Sequence, residues 1–77
     1  MKRNIIIDAI CHEIKQAKKQ HPVWPTDKIH AAAIVAEESG ELVRATLNHV
    51  YENAPERNIK KEAIQTAATC IRLLENL

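Results

Sequence analysis

At 77 residues the chain has room for one domain, residues 1–77, and a fold of this size buries only about 60% of its unfolded surface. Its core is therefore marginal and is expected to be completed by oligomerisation. Eleven Lys and Arg stand against ten Asp and Glu, interspersed rather than sorted into blocks, for a net charge of +1; this excludes a general attraction to nucleic acid and leaves any anionic ligand to be bound locally.

Hydrophobic residues make up 45% of the chain and charged ones 27%, as in soluble globular proteins, but Trp24 and Tyr51 are the only aromatic rings. A core of Ile, Val, Leu and Ala packs well between helices. Near the N-terminus the apolar run Ile5-Ile6-Ile7 stops at Asp8, and no stretch approaches membrane-spanning length, so a cytoplasmic location and no membrane partner are expected. Cys11 and Cys70 lie far apart without paired spacing and read as buried free thiols, not as a disulfide or a zinc motif.

The spacing predicts three helices. From Asn4 to Gln20, Ile6, Ala9, Ile10, Ile14 and Ala17 recur at three- and four-residue steps, with Asp8, His12, Lys15 and Lys19 opposite. Pro22 and Pro25 end this helix and hold an extended connection around Val23 and Trp24. Thr26 or Asp27 then caps a second helix that runs to about Val50 or Glu52, interrupted in sequence only by Gly40. A glycine inside a helix costs on the order of 1 kcal/mol relative to alanine, so close packing of a neighbouring helix, or the approach of a ligand, is expected at Gly40. Asn53-Ala54-Pro55 leads into a third helix with Pro55 in its first turn and an end near Glu75. No strand-like alternation competes, and the fold class is all-α: an antiparallel bundle of three main helices.

The second helix carries three carboxylates in five residues, Glu37, Glu38 and Glu41. Like charges at this spacing repel and lower helix stability unless a cation sits between them. Glu38 and Glu41, three apart, share a face, and His30 lies on the same strip about two turns earlier. Val35, Ala36, Leu42 and Val43 are expected to face the core, which puts Glu38 at the boundary of core and polar strip. On the third helix, Ile59, Ala63, Ala67, Cys70, Ile71 and Leu74 form an apolar stripe, with Glu62, Gln65, Thr69 and Arg72 on a polar one. Glu62 and Gln65 repeat the three-residue spacing. If the two helices pack antiparallel, both pairs face one gap and offer oxygen ligands to Mg2+. The bland alternative is that the glutamates are solvated charges, with Glu37 or Glu41 paired to Arg44 or Arg57.

The string EESGEL from Glu37 to Leu42, between HAAAIVA and the later EAIQTAATCIRLLE, resembles the MazG-like all-α nucleoside triphosphate pyrophosphohydrolases over about residues 24–75. Members of that family carry an EExxE motif on one helix and ExxD on a later one, and carboxylates of both bind magnesium. The resemblance implies Glu38, Glu41 and Glu62 as ligands of Mg2+, or of Mn2+ in its place. Gln65 stands where the family has aspartate, as a fourth ligand through its amide oxygen that removes one negative charge from the set. It further implies hydrolysis of a nucleoside triphosphate to a monophosphate and pyrophosphate, as in house-cleaning of nucleotide pools. Glu37, and after it Glu41, is the candidate to orient or deprotonate the water. Trp24 is the candidate to stack on the base, His30 to contact the nucleotide, and Lys28, Arg57, Lys60 and Lys61 to offset phosphate charge. A homodimer or homotetramer is implied, with sites near the subunit interface. Two other readings stay open: a nucleotide- or metal-binding module without turnover, because of Gln65, and a helical oligomerisation or adaptor protein.

Overall fold

Three helices account for the fold in the computed structural model, which describes residues 1–77: α1 (Arg3–Gln20), α2 (Lys28–Glu52) and α3 (Arg57–Glu75). The ends of α2 have local causes. The carboxylate of Asp27 accepts the backbone N–H groups of Ile29 (2.9 Å) and His30 (3.1 Å), which settles the cap of α2 on Asp27 instead of Thr26. Asn53 ends α2 in the left-handed region at φ 58°, where a short polar side chain is tolerated. Ala54 N–H then donates to Asn48 O at 3.1 Å, and a His49 ring nitrogen lies 2.7 Å from Ala54 O. These bonds turn the chain back within four residues. Pro55 therefore falls just before the third helix, not in its first turn.

The short turn makes α2 and α3 antiparallel. The C-terminal end of α1 lies at that of α3, where Lys18 and Glu75 pair at 3.3 Å, so the three helices run up, down and up. α3 is central: it packs against both α1 and α2, which do not pack against each other. Ala31 and Ala68 are the only fully buried apolar residues, each 2% exposed, and such small side chains let α2 and α3 approach closely. No helix is long and apolar enough to cross a membrane.

On α1 the expected face is the inward one: Ile6, Ala9, Ile10, Ile14 and Ala17 are half-buried while Asp8, His12, Lys15 and Lys19 are exposed. The other faces need correction. On α3 the polar strip turns inward, with Glu62, Gln65 and Thr69 half-buried and Arg72 only 5% exposed, whereas Ala63 and Leu74 of the apolar stripe are exposed. A helix held between two others has two inward faces, and the stripe supplies only one of them. On α2, Val35 and Leu42 are half-buried as expected, but Ala36 and Val43 are exposed, and Ile34, Ala45 and His49 are half-buried in their place. No neighbouring helix explains Gly40, because a Cβ placed there would meet nothing within 4 Å. Both cysteines are free, but Cys11 is exposed and Cys70 half-buried, so neither is a fully buried thiol.

Candidate metal centre

The α2–α3 hairpin turns two sequence spacings into one cluster. Glu38 and Glu41 share a face of α2, and the antiparallel α3 brings Glu62 against them, so that one carboxylate oxygen from each lies within 4.8 Å of the others. An ion bound at about 2.1 Å holds its ligand oxygens about 3 to 4 Å apart, a separation these side chains reach by small rotations. Oε2 of Glu38 and Oε2 of Glu62 are buried and accept no hydrogen bond. Such orphaned acceptors are uncommon in folded proteins and call for a proton or a cation. The Glu38 carboxyl is pushed above the ordinary carboxylate range, first by burial and then by the charges of Glu41, Glu62, Glu13 and Glu37. A donor set made only of carboxylate oxygens suits a hard divalent cation such as Mg2+.

Gln65 is half-buried and lines the same cavity as Glu38. Glu37 is exposed and outside the cluster of three, though its charge acts on Glu38. Neither Glu37 nor Glu41 pairs with Arg44 or Arg57, since the chain's two ion pairs are Lys18–Glu75 and Lys60–Glu56. Glu37 and Glu41 are both exposed, as solvated charges are, but without the arginine partners.

Beside the cluster runs a cavity of about 440 Å3, walled by α1 and α2 and floored by α3, a volume suited to a small organic ligand. Glu38 and Gln65 line it at one level. Trp24 and Arg72 line it farther on, seven residues or about 10 Å along α3 from Gln65. The Arg72 guanidinium lies over the Trp24 ring, 5.0 Å from its centroid, and donates to His21 O at 2.8 Å. His30 lines the same cavity. Lys61 instead lines a second hollow with Glu41 and Glu62. Lys28 and Arg57 are exposed and line neither, and Lys60 is held 3.8 Å from Glu56.

Two residues of this region were not singled out by sequence. Glu13 reaches the cavity from α1 and adds its charge to Glu38. Its signal is there in retrospect, for it stands on the apolar stripe of α1, three residues after Ile10 and four before Ala17. Arg72, read as one member of a polar strip, is the most buried charged residue in the chain. Compared with known proteins, the chain matches no family model, no curated protein and no solved structure.

Proposed function

We propose that the protein is a Mg2+-dependent nucleoside triphosphate pyrophosphohydrolase of the MazG-like kind, working in the cytoplasm. One observation carries the reading: three carboxylates converge from two helices, and two of their buried oxygens have no donor. Glu38, Glu41 and Glu62 would hold the ion. When bound, it would neutralise phosphate charge and make a nearby water more acidic.

The chain's own residues then divide the work. The cluster end receives the triphosphate, and the cavity leading to Trp24 and Arg72 receives the nucleoside. Glu37, exposed beside the cluster, is the first candidate to orient or deprotonate the attacking water, and Glu41 the second. Water oxygen bonds to the α-phosphorus as the bond to the bridging oxygen breaks, and pyrophosphate leaves with the electron pair. Pyrophosphate release from a panel of nucleoside triphosphates tests this directly. Release with Mg2+ that stops in EDTA, with a monophosphate as second product, supports the enzyme. A folded protein that releases nothing from any substrate overturns it.

Binding without turnover is the second reading, and Gln65 is the observation that favours it. Its amide oxygen is neutral where one more carboxylate would strengthen a magnesium site. Gln65→Asp is therefore expected to tighten Mg2+ binding by about tenfold, or roughly 1.4 kcal/mol, and to raise the rate. Calorimetric titration that finds equal Mg2+ affinity in the two proteins would place residue 65 outside the ion's reach.

A further inference from the structure

Glu13 is the carboxylate of the cavity that the proposed chemistry leaves unused. It stands on the inward face of α1 with Ile10, Ile14 and Ala17, half-buried as they are, and lines the cavity. Neither ion pair of the chain involves it, and no side-chain or backbone donor reaches it. Its oxygens are not among the sealed acceptors of the chain, so a ligand can touch them. Arg72, the only Lys or Arg in the cavity wall, is already committed to His21 O and to the Trp24 ring. A carboxylate turned inward without a donor costs stability, and here the missing donor has room to come from outside the chain.

The packing fixes how far along the cavity Glu13 stands. α1 and α3 run the same way, and the bond from Arg72 to His21 O sets those two residues level. Glu13 precedes His21 by eight residues, about 12 Å of helix, and Gln65 precedes Arg72 by seven, about 10 Å. Glu13 and Gln65 therefore share the level of Glu38, on which the charge of Glu13 acts across the cavity. Glu13 is nonetheless outside the cluster of three carboxylates that would hold the ion.

A nucleotide has its groups in a set order: phosphate, sugar, base. With the triphosphate at the cluster and the base toward Trp24, the group that passes Glu13 is the sugar. An ionised carboxylate repels phosphate and only accepts hydrogen bonds, so it can hold the substrate there only through a donor. The sugar hydroxyls are such donors. Ribose carries two of them on neighbouring carbons, on one side of the ring, and the two oxygens of a carboxylate can each accept one. Acidic side chains hold ribose by its 2′-hydroxyl in dinucleotide-binding folds for the same reason.

We propose that Glu13 accepts hydrogen bonds from the 2′- and 3′-hydroxyls of ribose and so selects ribonucleoside over 2′-deoxyribonucleoside triphosphates. The assignment rests on the reading of the cavity as a nucleotide site, and it gives Glu13 a part in binding, separate from the ion and from the attacking water. A 2′-deoxy sugar leaves one carboxylate oxygen without a donor in a half-buried place. Hydrogen bonds to charged groups are strong enough for that loss to weaken binding by about tenfold to 100-fold. An action of Glu13 through its charge alone, on the ion or on the phosphates, would change the affinity for both sugars alike.

Calorimetric titration of the full chain with Mg2+ and α,β-methylene triphosphates tests this, because their α–β bridge resists cleavage. Ribo and 2′-deoxy forms of each base are compared, and circular dichroism checks the helix content of every variant. The parent is expected to bind the ribo form at least about tenfold more tightly. Glu13→Ala is expected to bring the two sugars within about twofold of each other, and Glu13→Gln, with one acceptor oxygen, to fall between. Equal affinity of the parent for both sugars overturns the proposal, and so does a preference that survives Glu13→Ala. Pyrophosphate release from the ordinary triphosphates separates this from the hydrolysis reading. A parent that binds with the sugar preference but releases nothing keeps the role of Glu13 and removes hydrolysis. Release at equal rates from both sugars keeps hydrolysis and removes Glu13, and a parent that binds neither form overturns both.

Discussion

Glu38→Gln is expected to lose Mg2+-dependent pyrophosphate release by about 100-fold or more, yet to be more stable than the parent when no divalent ion is present. The loss follows from position, because Glu38 is the only member of the cluster that both faces Glu41 and Glu62 and lines the adjoining cavity. The gain follows from electrostatics. Two close like-charge contacts, each destabilising by about 0.2 to 0.5 kcal/mol, disappear with the carboxylate. Together they amount to about 0.5 to 1 kcal/mol, or a few degrees in Tm for a domain this small.

Acidity separates this account from a simple packing effect. The Glu38 carboxyl in the folded chain lies above its ordinary range because of burial and the surrounding glutamates. The folded state therefore keeps the proton after the unfolded chain has lost it, and folding stability falls as pH rises from the unfolded value through the folded one. Added Mg2+ should reverse that fall by taking the place of the proton. In Glu38→Gln this contribution is absent and the ion has less to act on. Thermal unfolding from about pH 4 to 8, with EDTA or with Mg2+, reads both effects. Identical pH slopes in parent and variant, or unchanged hydrolysis, would remove Glu38 from the centre of the site.

Such a trade of stability for a site explains which parts of the molecule are legible in the sequence. Helix bounds are legible because their causes are local: Pro22 and Pro25 stop α1, Asp27 caps α2 and Asn53 closes it. The convergence of Glu38, Glu41 and Glu62 is legible for a related reason, since a turn of four residues dictates an antiparallel pair and hence which levels of α2 and α3 face each other. The inward face of α3 is not legible, because periodicity marks where apolar residues lie and cannot say that a helix sits between two neighbours. Apolar residues also lie all round α2, and nothing local tells that Leu42 turns inward while Val43 turns out. Glu13 illustrates the limit. Its place on the apolar stripe of α1 marks it as unusual, but only the packing of α1 on α3 brings its charge to bear on Glu38.

Arg72→Ala is expected to be the most destabilising single change near the cavity, at about 3 kcal/mol. The guanidinium ties the α1–α2 connection to α3 through its bond to His21 O, across 51 positions of sequence, and through the face of Trp24. A hydrogen bond from a charged donor contributes about 1.5 to 3 kcal/mol and a partly buried cation–π contact about 1 to 2. Set against these is Arg72 Nε, buried with no acceptor, which lowers the sum. Native domains of this length have only about 4 to 12 kcal/mol in hand, so the change is large. Arg72→Met tests the division: it keeps an unbranched stem over the indole and removes the buried charge, and is expected to lose about 1 to 2 kcal/mol less than alanine. Denaturant titration followed by Trp24 fluorescence measures both, because the chain has no other tryptophan. If Arg72→Ala unfolds within about 0.5 kcal/mol of the parent, the cavity wall at Trp24 stands without Arg72, and the guanidinium is free to serve a ligand instead of the fold.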